Sequence, residues 1–324
     1  MADLLNALNN LHLYHNEEYN DFYLPKGFYT PGYIASLTAF LNFYSIDKRG
    51  FDSDPTVSSY LSAMALSAAL WDQTDYSLNR CNIGKNYSII TPLHNADVVD
   101  EATSSINNCL RTMLNADDSQ GASDLFHVVG ELHDNVWSHG LSSGFSMAQK
   151  IKVPRSEGSD HYFEFALADS GMGFLQEMKR AKKTVNTHKE AIKWCVLEGN
   201  STKHSDDIDD FAQSMPADFL GANPIGNEVG ARMEENHHQG LGLAHLVKLV
   251  RKYRGKLYIA SGDVCFHINT KGKEEFINLQ NNWKGVSISC RFKESELLVE
   301  HDDIPDDSVL DIIKKLKGDS DESN

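Results

Sequence analysis

The segment Glu131–Gly140 reads ELHDNVWSHG and carries the strongest local signal for the fold. It ends a run over residues 123–140 in which apolar residues recur at the three- and four-residue spacing of an amphipathic helix. Glu131 and Asn135 are four residues apart, so both side chains project from one helix face, and His139 follows one turn later. The pattern predicts a carboxylate and an amide that point at one place.

This pair of side chains has the chemistry of a phosphate site. The amide oxygen of Asn135 is a hard ligand suited to Mg²⁺, which takes its other ligands from water and substrate phosphates. Beside that ion, Glu131 is placed to deprotonate a water or a hydroxyl that attacks a γ-phosphate. Glu–Asn pairs at this spacing also occur on exposed helices without function, so the pair alone leaves both interpretations open. Ser123 is the expected N-cap of the helix.

A second segment, Asp169–Gly173 (DSGMG), follows the alternating, strand-like run His161–Ala168. Gly171 and Gly173 lack a Cβ, so the backbone can turn tightly and approach a flat ring closely. The Asp169 carboxylate can accept a hydrogen bond from an exocyclic amine. This combination suits adenine, although an ordinary tight turn opened by Asp has the same residues.

A third segment, Gly240–Leu243 (GLGL), precedes a helical pattern over Leu241–Arg254 that Gly255 ends. Gly240 and Gly242 therefore lie at a helix start, where free N–H groups and the helix dipole favour a phosphate. By itself a glycine pair before a helix is a weak signal, since it is often only a turn.

Together the three segments resemble the GHKL ATPase superfamily, whose Bergerat-fold domain binds ATP. The resemblance covers roughly residues 115–293 and implies a two-layer α/β sandwich, with a mixed sheet packed on helices, that holds ATP and Mg²⁺. It also implies Glu131 as the catalytic base, Asn135 as the metal ligand and Asp169 as the residue that contacts adenine. Further nucleotide contacts are implied for His139, Gly171, Gly173, Gly240, Leu241, Gly242 and Leu243.

Two positions depart from the family pattern. Many members have a further glycine just before GxGL, where this chain has His238 and Gln239. Many also carry Gly-Thr at the entry to the last strand, where this chain has Gly285 and Val286, with Ser287 next. Val286 lacks the threonine hydroxyl of the family pattern, a difference expected to change the affinity for the nucleotide more than which nucleotide is bound.

The resemblance places the ATPase domain at residues 113–295. After the second segment the pattern predicts a helix that begins at Glu190 and ends at Gly199, followed by a polar loop at about residues 200–239 that corresponds to the ATP lid. The later strands are expected at residues 256–261, 264–269 and 285–292.

The first part of the chain, residues 1–112, is predicted to be a small α/β module. Its patterns indicate helices over residues 30–44 and 57–71, a strand that reaches Ile89-Ile90, and a connecting helix over residues 97–114. This order resembles the STAS-like domain that precedes the ATPase in some related stand-alone proteins. A helical dimerisation cap is the alternative.

Composition limits the other possibilities. The 324-residue chain has a formal charge of −16, which argues against direct nucleic-acid binding. Five cysteines without metal-type spacing predict reduced thiols and a cytoplasmic location. The start Met1–Asn10 lacks a basic leader, and no apolar run is long enough for a membrane span. Residues 296–324 are expected to form an amphipathic helix, at 305–317, and an acidic tail.

The sequence thus predicts a Mg²⁺-dependent, ATP-binding regulatory protein of GHKL type that hydrolyses ATP slowly. Retention of Glu131 disfavours a sensor histidine kinase, which in that superfamily generally lacks this carboxylate. One alternative is a protein serine or threonine kinase of the anti-sigma-factor type, and another is a non-catalytic, ATP-gated binding module. The expected partners are ATP, a STAS or sigma-factor-like protein and a second copy of the chain.

Overall fold

A computed structural model describes residues 1–74, 76, 79–94, 96–114, 119–136, 143–153, 160–197 and 242–299. In its N-terminal part, the strand Asp21–Leu24 pairs antiparallel with His15–Asn16 and parallel with Phe51–Ser53. The N-terminal elements are α1 (Leu4–Tyr14), β1 (His15–Asn16), β2 (Asp21–Leu24), α2 (Pro31–Phe43), β3 (Phe51–Ser53), α3 (Pro55–Ala63) and α4 (Leu66–Trp71).

The later elements build a five-stranded sheet and the helices that cover it. They are β4 (Thr91–Leu93), α5 (Ala96–Leu114), α6 (Gln120–Asn135), β5 (Gly144–Lys152), β6 (His161–Asp169), α7 (Gly173–Arg180), α8 (His188–Cys195), α9 (Gly242–Lys252), β7 (Lys256–Ile268), β8 (Glu274–Lys293) and α10 (Glu294–Leu297). The strand order is β4-β5-β6-β8-β7. The predicted α/β sandwich is confirmed, but each pairing in this sheet is antiparallel, whereas a mixed sheet was expected.

Helices α5 to α9 cover one face of the large sheet. Alternate residues of β6 point to this face and meet the apolar stripes of α6 and α9, which explains why these stripes have helical spacing. Their shared core includes Leu125, Val129, Leu132, Phe163, Phe165, Leu167, Leu246 and Val250.

Helices α1 and α2 cover the opposite face, where they pack on β5, β6 and β8. Small residues on the strands let α2 approach closely, and a Cβ on Gly32 would stand 2.9 Å from the Cβ of Ser289. This second core includes Leu4, Leu8, Ile34, Leu37, Phe145, Met147, Ala166 and Ala168. Both cores therefore contain residues from either side of residue 112.

The fully buried Glu164 of β6 fixes the start of α2 on this face. Its Oε1 accepts hydrogen bonds, each 2.9 Å long, from Thr30 Oγ1, the Gly32 amide and Ser289 Oγ. Its Oε2 accepts from Arg291, with Nε at 2.7 Å. The carboxylate thus joins the first turn of α2 to two strands of the sheet.

The predicted N-terminal helices are present with one correction. Helix α2 begins where Thr30 is extended and Pro31 supplies its fixed φ. The single helix expected over residues 57–71 is two helices, because Ala65 adopts a left-handed φ of 64°. The carbonyl of Met64 accepts instead from the Ile90 amide at 2.9 Å, which draws it out of the helical ladder.

Two helix starts also differ from the prediction. Ser119, and not Ser123, caps α6, because its hydroxyl accepts from the Ala122 amide. Helix α8 begins after Thr187, whose side chain forms a capping box with Glu190. The helix predicted from Glu190 to Gly199 therefore begins earlier than expected, at His188, and also ends earlier, at Cys195, with Val196 as its C-cap.

The strands after α9 are longer than predicted. The runs expected at residues 256–261 and 264–269 form the single strand β7, with an irregular register around Gly262 at a φ of 67°. Strand β8 begins at Glu274 and not near residue 285. Its first half lacks a regular apolar alternation and was not predicted, yet it pairs with β7 and buries Leu279 and Trp283 in the second core.

Several predicted features lie outside the described residues, namely the lid at about residues 200–239 and the helix at 305–317. Among the helices that are described, none is both long and apolar enough to cross a bilayer. All five cysteines are free thiols. The STAS-like assignment and the domain boundary at residue 112 stay predictions.

Candidate functional site

Glu131 and Asn135 lie where α6 faces α9. The Glu131 side chain is only 14% exposed, and its Oε2 lies 3.2 Å from Nδ1 of His245 on α9. Asn135, one turn later, is also partly buried. The pair is therefore directed between two packed helices and away from bulk solvent, unlike a pair on an exposed helix surface.

A glycine allows α9 to come this close to α6. A Cβ on the buried Gly242, the first residue of α9, would stand 2.9 Å from the Glu131 Cβ and 3.6 Å from Nδ2 of Asn135. A side chain at this position would push the helices apart. The structure thus brings the start of α9, with its free backbone amides, directly against the carboxylate–amide pair.

Asp169 ends strand β6 on the same face of the sheet and is 3% exposed. Its Oδ1 accepts from the Gly171 amide at 2.8 Å, and the Val286 amide also donates to the carboxylate. Burial raises the pKa of Asp169 to about 7, and the two amides oppose that shift. The DSGMG turn therefore holds a buried acceptor whose desolvation its partners only partly offset.

Gly285 closes the turn from strand β8. Its φ is +89°, and a Cβ there would stand 2.3 Å from the Asp169 carbonyl oxygen and 2.6 Å from Oδ1. The Gly285-Val286 pair thus occupies the place beside Asp169 that the family pattern gives to Gly-Thr. The next residue, Ser287, faces the other side of the sheet, with its Oγ 2.8 Å from Ser36 Oγ on α2.

A hydroxyl nevertheless reaches the turn from strand β7. Ser261 Oγ donates to the Gly285 carbonyl at 2.8 Å and accepts from the Phe174 amide at 3.2 Å. It lies 2.8 Å from where a Cβ on Gly173 would stand. Ser261 therefore fastens the backbone of the turn, while the carboxylate of Asp169 depends on backbone amides.

Gly144 connects the two halves of the site. It is the register partner of Asp169, and a Cβ on it would stand 2.8 Å from Cγ1 of Val136, the residue after Asn135. The end of α6 thus meets strand β5 beside the DSGMG turn. Three segments that are far apart in sequence converge at one end of the sheet.

The structure leaves part of the predicted set undescribed. His139, Gly240 and Leu241 lie outside the described residues. Leu243 is 7% exposed and packs in the core beneath α9, so its side chain supports the helix and does not line an open cleft.

Comparisons with models of protein families, with curated proteins and with solved structures found no match.

His133 joins α6 to the neighbouring helix α5. It is fully buried, two residues after Glu131, and its Nδ1 lies 2.9 Å from Thr103 Oγ1 on α5. Burial lowers the pKa of His133 to about 3. The neutral imidazole thus holds the helix that carries Glu131 against the neighbouring helix.

Two contacts of the site were not predicted. His245 follows Gly242 by three residues, so helical spacing alone places it on the face that meets Glu131, but nothing local indicates that pairing. Ser170, inside the DSGMG turn, donates from Oγ to the Ala39 carbonyl of α2 at 3.0 Å. That contact crosses 131 residues of sequence, so no local pattern could reveal it.

The side chains at the site suit a magnesium ion only if water and phosphate oxygens supply most of its ligands. Within the described residues, no group of three or more His, Cys, Asp or Glu side chains converges on a point. A Mg²⁺ ion that keeps several waters and takes ligands from phosphates needs few protein ligands, and Asn135 supplies one amide oxygen. The residues present fit a metal that arrives with a nucleotide, not a free-standing metal centre.

Proposed function

We propose that this chain binds ATP with Mg²⁺ at the convergence of α6, α9 and the DSGMG turn, as in the GHKL ATPases that its motifs resemble. ATP hydrolysis at this site is slow and serves a regulatory switch. Asp169 accepts from the adenine amine, Asn135 contributes a ligand to Mg²⁺, and Glu131 deprotonates the attacking water.

One observation carries the proposal, namely the packing of Gly242 against Glu131 and Asn135. A glycine at the start of a helix, with a carboxylate and an amide beside it, puts anion-binding amides, a metal ligand and a base together. Gly144 then places Asp169 at the neighbouring strand end. Each of the three motifs is weak alone, and their convergence supports a shared ligand.

The burial of Asp169 suits recognition of a base. A buried acceptor whose desolvation is only partly offset by its partners favours a ligand that brings a further N–H donor, because an added hydrogen bond offsets more of that cost. The exocyclic amine of adenine is such a donor.

The setting we propose is the cytosol, with a protein partner that responds to the nucleotide state. The five free thiols support a reducing compartment. The acidic charge of −16 supports a protein partner over nucleic acid.

Calorimetry with ATP, with and without Mg²⁺, tests the proposal when the same samples are then assayed for phosphate release. We expect binding that Asp169→Ala weakens, a Mg²⁺ dependence that Asn135→Ala reduces, and release that Glu131→Ala lowers by 10²- to 10⁴-fold. Glu275→Ala, which removes a carboxylate from an exposed pair with Lys273, is the matched control.

Each result has a distinct meaning. Phosphate transfer only when a partner protein is added would instead support the kinase alternative. Binding that remains equally tight in Asp169→Ala would refute the adenine assignment.

A further inference from the structure

His245 has no role in the proposed function as stated, yet its imidazole touches the candidate base. Its Nδ1 lies 3.2 Å from Glu131 Oε2, and its side chain is 40% exposed against 14% for that of Glu131. The two residues come from helices separated by 114 positions in sequence. The pair therefore depends on the packing of α6 against α9.

We propose that His245 is a positioning residue for Glu131, an inference that rests on the proposed function. A neutral imidazole protonated at Nδ1 donates to Oε2 and fixes the carboxylate in one orientation. Oε1 is then the oxygen left to accept the proton of the attacking water. An unheld carboxylate would sample other rotamers, at a cost in rate.

The chemical step that this orientation serves balances as follows. The water oxygen forms a bond to the γ-phosphorus, and the bond from that phosphorus to the bridging oxygen breaks. The proton from water goes to Oε1 of Glu131 and is later released to solvent. His245 keeps its own proton throughout and takes no part in the proton transfer.

The position of Gly242 strengthens the assignment. It lies three residues before His245 on the same face of α9, and a Cβ on it would stand 3.3 Å from Glu131 Oε2. Gly242, at the helix start proposed to bind phosphate, and His245, which holds Glu131, are therefore parts of the same helical turn. Glu131 is oriented relative to the phosphates by the same element that binds them.

A purely structural bond between α6 and α9 would give the same distance, so the test must separate the two roles. We would measure kcat and KM for phosphate release, and the Kd for ATP, in His245→Ala and His245→Asn. Asparagine is the conservative change, because its amide nitrogen reaches about as far as Nδ1. His188→Ala is the matched control, since it removes a His–carboxylate pair, with Asp263 at 2.8 Å, from another surface.

We expect His245→Ala to lower kcat about tenfold to a hundredfold, with KM and Kd within twofold of the wild type. His245→Asn should recover most of the lost rate, and His188→Ala should match the wild type. Equal kcat in His245→Ala and wild type, with Glu131→Ala inactive, would overturn this inference alone. A rise in KM and Kd without a change in kcat would also overturn it.

A nitrogen-15 NMR measurement of the His245 ring tests the pair without any turnover. We expect the Nδ1–H tautomer in the wild type and a return to the usual Nε2–H mixture in Glu131→Ala. The same tautomer in both proteins would refute the pair. If wild-type protein releases no phosphate, the proposed hydrolysis is wrong, and the His245–Glu131 pair then has no catalytic role. The NMR spectrum would still show whether the pair itself forms.

Discussion

Two carboxylates on strand β6, Glu164 and Asp169, are almost equally buried and are held in different ways. Glu164 faces α2 and accepts from two hydroxyls, a backbone amide and the guanidinium of Arg291. Asp169 faces the other side of the sheet and is held by the amides of Gly171 and Val286, while burial raises its pKa to about 7. The contrast separates a carboxylate that builds the fold from one that is suited to a ligand.

The largest effect is expected at the structural carboxylate. Glu164→Ala leaves the Arg291 guanidinium, 16% exposed, without its buried partner, which should lower the free energy of unfolding by about 3–5 kcal/mol. Urea denaturation measures the loss, and calorimetry should find ATP affinity unchanged in the molecules that remain folded.

A matched control for this change is Glu274→Ala, which breaks the exposed pair with Arg251. It should cost less than about 1 kcal/mol, because water and salt screen exposed pairs. Equal losses in the two variants would contradict the structural role of Glu164.

Removing the charge of Asp169 should raise stability at neutral and basic pH, whereas removing that of Glu164 lowers it. The pKa of Asp169 is about 7 in the folded chain against an ordinary value of 3.8. Its contribution to stability is complete below pH 3.8 and is lost as pH rises towards 7, because the unfolded chain gives up the proton first.

Asp169→Asn should therefore be more stable than the wild type at pH 8, by roughly 4 kcal/mol, and should lose this advantage near pH 4. Its amide group would face the adenine amine with N–H donors, so ATP affinity should fall at least about tenfold. Unfolding at several pH values and calorimetry measure both effects. Lower stability than the wild type at pH 8 would refute the account of Asp169.

The closure of the turn over Asp169 can be tested with two glycines that share a positive φ. Gly285→Ala adds strain and places a Cβ against the Asp169 carbonyl, whereas Gly272→Ala, at a φ of +76°, has nothing within 4 Å. We expect Gly285→Ala to cost about 2–3 kcal/mol more than Gly272→Ala and to weaken ATP binding. Thermal unfolding and calorimetry compare them, and equal costs would show that the contact with Asp169 is not tight.

The smallest expected effect on stability comes from His133, the buried histidine of α6. The pKa of His133 is lowered from 6.5 to about 3, so the unfolded chain takes up the proton first and stability falls as pH drops below 6.5. At pH 5 the loss should be roughly 2 kcal/mol. His133→Gln should lack this slope in acid unfolding curves, and His127→Gln, on the exposed side of the same helix, should retain it.

Local patterns predicted much of the fold. The spacing of apolar residues in α6 and α9 and the alternation in β6 gave these elements nearly their observed bounds, because their cores select one face of each. The break at Ala65 was missed, since it depends on a hydrogen bond from Ile90. The first half of β8 was missed because its apolar residues do not alternate regularly, although pairing with β7 and the burial of Leu279 and Trp283 order it.

The candidate site shows the same division. Glu131, Asn135, Asp169 and Gly242 were recognised because each stands in a motif with a local structural requirement. His245 and Ser170 were not, since their partners are more than a hundred residues away and come close only through packing. Motifs specify which groups a site contains, and tertiary contacts decide how those groups are held.

The hydrogen bonds to Glu164 join residues that leave the ribosome at very different times. Thr30, at the first turn of α2, leaves the ribosome long before Glu164, the carboxylate to which it donates. Arg291, which neutralises Glu164, is synthesised later still. The apolar surfaces of α1 and α2 remain uncovered until the sheet is made. A fragment that starts after residue 112 would expose the other side of that interface, so we expect it to aggregate, and the full-length chain should complete its folding only after translation has passed strand β8.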